Sequence, residues 1–303
     1  MRRRSFVKKV MSASAFLAAG SFPVSAFDKP EILKLTILHT NDQHSRIEPF
    51  VGGRLDGIGG AARRATLLEK IRKEEQHVLL LDSGDIFQGT PYFNYFGGEL
   101  EFKLMSKMKY DVATIGNHDF DGGMDGFLKQ MPHANFPFVV ANYDFADTPL
   151  HGQFKPYKIF QKENIKIGVF GLGIELLGLV PEKLYGDTQY SDPLKAANKY
   201  ATILRKEEKC DYVICLSHLG YKYDSSRVSD RVLAVETSNI DLILGGHTHT
   251  FMTEPEMLEN KEGKKVYINQ VGFGGAMLGR LDIYFERNFK HRCSTCKNIV
   301  IKD

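Results

Sequence analysis

The stretch ATIGNHDFDGG, residues 113–123, places Asn117, His118, Asp119 and Asp121 within five positions, directly after an apolar run. Each of these side-chain types can bind a metal, move a proton or shape a turn. Similar groups recur along the chain. HTNDQH (39–44) offers Asp42 and His44, DSGDIFQG (82–89) offers Asp82 and Asp85, SHLG (217–220) offers His218, and GGHTH (245–249) offers His247 and His249. A lone Asp or His at the end of a strand is more often a cap or a turn residue. Five such fragments at five candidate strand ends point instead to one polar centre, and gathering so many charges and imidazoles without a cation is costly. The donors are carboxylate oxygen, amide oxygen and imidazole nitrogen, with no thiolate, a set that suits Mn, Fe or Zn rather than a Cys-type structural zinc site. Asp42, His44, Asp85, Asn117, His218, His247 and His249 are too many for one tetrahedral ion. They suit two divalent ions that share a bridging carboxylate.

Such residues need a scaffold that brings the strand ends together. Near-continuous apolar runs predict strands over 33–39, 77–82, 111–116, 136–142, 165–171, 211–218, 240–246, 265–272 and 279–286. Helical patterns lie between them. Residues 62–76 place Leu68 and Ile71 beside a charged face. Residues 191–209 start on Asp192 as N-cap with Pro193 behind it and line Leu194, Ala197, Ala201 and Leu204 along one stripe. Segments 99–108 and 227–237 complete the helix set. The alternation predicts an α/β protein with layered sheet between helices, and the last strands, unseparated by helices, predict an antiparallel part. In α/β folds ligands gather at the carboxyl ends of strands, where all five fragments fall.

Composition sets the remaining bounds. The formal net charge of +3 is carried by the first 26 residues, which hold Arg2, Arg3, Arg4, Lys8 and Lys9 and no acid. The remainder has 35 basic and 37 acidic residues, so it lacks the basic excess of a nucleic-acid-binding protein. RRRSFVKKV, a short apolar run and VSA before Phe27 follow the order of a cleavable leader. The Arg pair with Phe6 and Lys8 resembles a twin-arginine export signal, which implies a periplasmic or otherwise extracytoplasmic protein starting near Phe27. No run is long and apolar enough for a membrane-spanning helix, so an integral membrane protein is not expected. Residues 27–303 read as one domain. Cys210 and Cys215, five apart on one apolar run, read as small core side chains on opposite faces of a strand. Cys293 and Cys296 form a C-x-x-C pair, open between a local disulfide and an unpaired tail.

Asp-x-His, Gly-Asp-x-x-Gln-Gly, Gly-Asn-His-Asp-x-Asp, a His on a mid-chain strand end and Gly-His-x-His occur here in that order. This pattern, with GGAARRATLLEKIR and GFGGAMLGRLDIYF, resembles the calcineurin-like metallophosphoesterases, and among them the 5′-nucleotidase branch that hydrolyses nucleotides and UDP-sugars. The resemblance covers residues 34–286. It implies a four-layer α/β/β/α sandwich of two mixed sheets. It also implies roles: Asp42, His44 and His249 on one metal, Asn117, His218 and His247 on the other, Asp85 between them. Gly84, Gly116, Gly245 and Gly246 would let the backbone turn beside the metals. A metal-bound hydroxide would attack phosphorus, and His118, oriented by Asp121, would protonate the leaving oxygen, with Asp119 left to a supporting or turn-stabilising role.

The branch ordinarily carries a second, C-terminal domain that grips the nucleoside, and this chain ends about 17 residues after its last expected strand. The resemblance therefore implies either a stand-alone phosphoesterase of loose specificity or a catalytic chain that works with a separate chain supplying that domain. Two other activities of the branch stand as alternatives: a manganese-dependent thiosulfohydrolase of sulfur oxidation and a 2′,3′-cyclic-nucleotide phosphodiesterase. Asp82 reads as structural support, His39 as a packing residue, and His77, His133, His151 and His291 as surface or local-structure histidines. The aromatic cluster Tyr92, Phe93, Tyr95 and Phe96 reads as packing, and Gln88 and Asn142 as neighbours of the site.

Overall fold

The computed structural model describes residues 32–286 and 291–302. The expected leader, residues 1–26, lies outside them, as do the side chains of His291 and Cys293. In chain order the strands are β1 (Leu33–Thr40), β2 (Val78–Asp82), β3 (Val112–Ala113), β4 (Tyr143–Asp144), β5 (Tyr157–Lys162), β6 (Ile165–Leu172), β7 (Gln189–Tyr190), β8 (Tyr212–Ser217), β9 (Leu242–Gly245), β10 (Glu256–Glu259), β11 (Lys265–Asn269), β12 (Met277–Phe285), β13 (His291–Cys296) and β14 (Ile299–Val300). The helices are α1 (Ala61–Glu74), α2 (Pro91–Phe96), α3 (Glu99–Lys107), α4 (Gly123–Gln130), α5 (Glu182–Tyr185), α6 (Pro193–Thr202) and α7 (Asp230–Glu236).

Two mixed six-stranded sheets hold the chain together. The first runs β13-β12-β1-β2-β3, with β14 also on β12, and the second runs β10-β11-β9-β8-β6-β5. β1, β2 and β3 are mutually parallel, as are β6, β8, β9 and β11. The antiparallel part expected of the last strands is present, since β12 runs antiparallel to β1 and β10 to β11. Alternation explains the layering. Leu35, Ile37, Leu79 and Leu81 point between the sheets and meet Val169, Ile214, Leu216, Leu242 and Leu244 of the second. Leu38 and Leu80 point outward onto Leu68 and Ile71 of α1 and Phe102 and Met105 of α3. On the far side Phe170, Val213 and Ile243 pack against Ala197 and Ala201 of α6 and Leu233 of α7. Each fully buried Leu, Ile or Phe contributes about 1.5–3 kcal/mol, so the three cores together set the sandwich. This is the four-layer arrangement expected from the sequence.

Several expected elements differ. Residues 136–142 are not a strand: Pro137 lacks an N–H, and the segment makes only single bridges, Ala113 with Phe138 and Val139 with Lys155. It crosses between the sheets, Val139 N–H bonding to the Ala113 carbonyl and Ala141 N–H to that of Gly171. The strand expected over 111–116 shortens to two residues because the chain leaves the sheet to form the GNHDFD turn. Helix α6 keeps its predicted start, with Asp192 accepting from the N–H groups of Leu194 and Lys195, but winds into a π-helical turn over Ile203–Glu207. β5 and β10 lacked a clear apolar signal because they are the edge strands of their sheet. Cys210 and Cys215 are buried free thiols as expected, yet both enter one core rather than opposite faces, because Cys210 precedes β8 and escapes its alternation. Cys296 is disulfide-bonded. Among the described residues no helix is long and apolar enough to cross a membrane.

Candidate metal centre

Parallel strands end on the same side, so the loops after β1, β2, β3, β8 and β9 converge at one rim. There one group of possible ligand atoms comprises Asp42, His44, Asp85 and His249, and a second comprises Asp85, His218 and His247, the atoms of each lying within 4.8 Å of one another. Asp85 belongs to both. Asn117 joins through its amide oxygen, 2.8 Å from Nδ1 of His247. All seven residues singled out for their metal-binding chemistry are thus brought to one place.

The backbone that achieves this is strained. Of eleven non-glycine residues with positive φ among those described, five are Asp42, His44, Asp85, His247 and His249. Such conformations cost about 1–3 kcal/mol each and persist only where surrounding contacts over-determine them. The contacts are visible. His247 N–H donates to both carboxylate oxygens of Asp42, at 2.9 and 3.1 Å, and Ser83 Oγ donates to the Leu244 carbonyl at 2.8 Å, tying the two sheets together at the rim. The expectation that four glycines turn the backbone here is only partly met. Gly84 has φ +86°, whereas Gly116 is needed for space: a Cβ there would lie 2.2 Å from Oδ1 of Asp85.

The GNHDFD turn separates its polar groups clearly. His118 Nδ1 pairs with Asp121 Oδ2 at 2.7 Å. Asp119, buried, points the other way and accepts from the N–H groups of Asp85, Ile86, Phe87 and Gly116 at 2.8–3.1 Å. It therefore splices the loop after β2 to the loop after β3, a larger part than the sequence suggested. His118 N–H in turn donates to Asp85 Oδ1 at 2.8 Å. The hydrogen bond to Asp121 is the main influence raising the His118 pKa above 6.5, against the lowering effect of partial burial.

The donor chemistry fits cations. His218 is fully buried, and its Nδ1–H donates to the Ser83 carbonyl at 2.7 Å, which leaves the Nε2 lone pair facing Asp85 Oδ2 at 3.1 Å. That Nε2 completes no hydrogen bond. Two acceptors so placed need a proton or a metal ion between them. The same demand shows in the pKa values: burial would lower that of His218, but the Asp85 carboxylate overrides it and lifts it to about 10. Burial would raise that of Asp85, yet His218 and His44 hold it far below the usual carboxylate range. His44 and His249 bring their Nε2 atoms to 2.9 Å, while Nδ1 of His44 rests on the Gln88 carbonyl at 3.2 Å. Burial lowers the pKa of His44 and takes that of His247 down to about 4, so both rings favour the neutral form that binds metals.

Some of the other residues fall where the sequence reading put them. Asp82 is buried and accepts from Thr40 Oγ1, Gln43 Nε2 and the Gly84 N–H, a supporting role. His39 is buried against Asn269, with its pKa lowered to about 3 by burial. His77 and His133 pair with Glu163 and Glu99. Asn142 staples Gly173 through both its amide atoms. Phe93 packs on Phe87 with ring centroids 5.4 Å apart, but Tyr95 and Phe96, expected to pack, are exposed instead. Sequence reasoning missed the buried Arg64 and Glu101 behind the site. Their signal was a charged residue on the apolar stripe of an amphipathic helix.

Residues 35–251 match the family model of the calcineurin-like phosphoesterases. The chain is 33% identical over 299 residues to the snake venom 5′-nucleotidase of Crotalus adamanteus, covering 90% of this chain and 47% of that protein. It is 34% identical over 312 residues to the 5′-nucleotidase of Vibrio cholerae, covering 94% and 55%. Among solved structures, the NAD nucleotidase of Haemophilus influenzae superposes with a TM-score of 0.78 at 27% identity, over 89% of this chain and 50% of that one. The chain thus spans about half the length of the curated relatives it matches.

Proposed function

The chain belongs to the calcineurin-like phosphoesterase family, and from that footing we propose that it is a dinuclear-metal hydrolase of nucleotide phosphate esters, 5′-nucleotidase-like in its chemistry. The observation that carries this reading is Asp85, the one carboxylate common to both groups of converging ligands. Asp42, His44 and His249 would hold one ion and Asn117, His218 and His247 the other, with Asp85 between them. When bound, two such ions polarise a water and neutralise charge on the phosphoryl oxygens.

The chain's own residues supply the rest. His118 N–H orients the Asp85 carboxylate, and the Ser83 carbonyl fixes the tautomer of His218 so that the Nε2 lone pair would be available to a cation. Asp119 keeps both metal-bearing loops in register. Protonated His118, held at Nδ1 by Asp121, presents its Nε2–H to the leaving oxygen, an effect of about 10²–10⁴-fold. On this reading residues 1–26 are a twin-arginine leader and the protein works in the periplasm. We propose as its partner a separate chain that supplies nucleoside contacts.

The test is a substrate panel on the chain from Phe27 onward, reconstituted with Mn²⁺, Zn²⁺ or Fe²⁺: AMP, UDP-glucose, 2′,3′-cyclic AMP, an aryl phosphate and a thiosulfonate. Phosphate release from AMP, abolished by chelator, is expected. Turnover of the thiosulfonate alone would move the protein to sulfur chemistry, and inertness of the metal-loaded chain toward every phosphate ester would overturn the reading. Cell fractionation of a strain with Arg3→Lys and Arg4→Lys checks export: the protein should remain in the cytoplasm.

A further inference from the structure

Behind the loop that carries Asp42 and His44 lies a second polar cluster with no part in the chemistry above. Arg64 on α1 is 3% exposed and Glu101 on α3 is 4% exposed, each interrupting the apolar face of its helix. Ser45, fully buried, directly follows His44. Nε of Arg64, both carboxylate oxygens of Glu101 and Oγ of Ser45 are buried and complete no hydrogen bond of good geometry, although the Ser45 hydroxyl lies near enough to the Glu101 carboxylate to lower its pKa against the raising effect of burial. Leaving such groups unsatisfied is costly, and native proteins rarely do so without an intervening molecule.

All three residues line one narrow cleft with Gln43 and Met105. A water-sized sphere can centre itself within ≈ 10 Å³ there, the lower limit for a single water. The valences match one water as well. Its two protons would serve the Glu101 carboxylate, and its two lone pairs would accept from Arg64 Nε–H and the Ser45 hydroxyl. The cluster also reaches both metal-bearing loops. Arg64 Nη2 donates to Gln43 Oε1 at 2.5 Å, Gln43 Nε2 donates to Asp82 Oδ2 at 2.8 Å, and Asp82 Oδ1 accepts from the Gly84 N–H at 3.0 Å. Asp42, His44 and Ser45 all hold φ near 50°, so their loop depends on such external support.

We propose that Glu101 and Arg64, joined by one buried water, are positioning residues that hold the Asp42–Ser45 loop in the conformation presenting Asp42 and His44 to a cation. This rests on the reading of those two residues as metal ligands. The direct test titrates Mn²⁺ calorimetrically into the metal-free chain and its variants, with thermal melts alongside. Glu101→Leu fills the water's place and strands Arg64 and Ser45, and should weaken Mn²⁺ about 10–100-fold, the usual effect of losing support behind a ligand. Glu101→Gln keeps an acceptor oxygen and should restore most of the affinity. Should Glu101→Leu fail to fold, Ser45→Ala removes one donor only and should weaken Mn²⁺ severalfold. A lower melting temperature with unchanged Mn²⁺ affinity in the folded variants would mean a purely structural role and overturn the proposal. So would a high-resolution crystal structure with no water between Glu101, Arg64 and Ser45. Failure of the unaltered chain to bind Mn²⁺ would overturn the ligand reading itself, and this proposal with it.

Discussion

His118 Nδ1 lies 2.7 Å from Asp121 Oδ2, one tight turn further along the chain, while the adjacent Asp119 faces away. A 3₁₀ turn brings residues i and i+3 over one another, so the pairing follows from the local backbone. The ring's other nitrogen is left to donate outward. His118→Asn should lower kcat by about 10²–10⁴-fold with metal content, read by plasma mass spectrometry, unchanged. Asp121→Asn removes the main influence that raises the His118 pKa above 6.5. As the proposed acid, His118 would work only while protonated, so activity should fall as pH rises through that pKa, and this variant should shift the basic limb of the kcat profile to lower pH. An unshifted limb would assign the proton to another group.

Asp119 is predicted to matter for the fold more than for turnover. Its carboxylate accepts four backbone N–H bonds from two loops. Asp119→Ala would strand those donors in a buried setting, at a cost of more than about 3 kcal/mol. The expected result in urea titrations is a large loss of stability together with loss of bound metal. A stable Asp119→Ala protein with full metal content contradicts the splice.

Much of this site was legible in the sequence because its donors fall at the ends of apolar runs, and parallel strands must end at one rim. The pairing of His118 with Asp121 came from motif order rather than residue spacing. What stayed hidden was contact between segments distant in sequence. Nothing local shows that Asp119 reaches 33 residues back to Ile86, or that Ser83 ties its loop to Leu244 of the other sheet. Residues 136–142 misled for a related reason: their apolar run is buried, Phe136, Phe138 and Val140 in the core under α3 and Val139 between the sheets, without forming a strand of either sheet, and burial alone does not distinguish such a crossing from a strand.

Between β1 and β12, inner strands of the first sheet, lies a pH-sensitive cluster apart from the metal centre. Asp282 accepts from Thr36 Oγ1 at 2.8 Å and pairs with Lys34 and Arg280 at 3.1 Å. Burial would raise its pKa, but the bonds from Arg280, Thr36 and Lys34 outweigh that and hold it below 3.8. A carboxylate with a depressed folded-state pKa stabilises above its unfolded value and loses that contribution as pH falls through the folded one. Asp282→Asn should therefore cost about 1–3 kcal/mol at pH 7. The gap from wild type, measured on metal-free protein by urea denaturation, should close as pH drops below about 4. A gap that stays constant with pH would mean packing rather than charge is responsible.

Gly116 offers the sharpest steric test. A Cβ at this position would lie 2.2 Å from Asp85 Oδ1, 2.5 Å from the Asp85 nitrogen and 2.7 Å from His218 Cε1. Two of those neighbours are backbone or carboxylate atoms pinned by Asp119 and His118, and the third belongs to a ring fixed by the Ser83 carbonyl, so none can yield cheaply. Gly116→Ala must therefore push Asp85 away from His218, the pair on which the proposed shared position between two cations depends. Bound metal should fall by at least one equivalent. The stabilisation that metal gives, about 2.7 kcal/mol at a hundredfold excess over Kd, should shrink with it. Thermal melts with and without Mn²⁺ would read this directly: a wide gap in the wild type and a narrow one in Gly116→Ala. An equal gap in both proteins would show that the ions do not lie between Asp85 and His218.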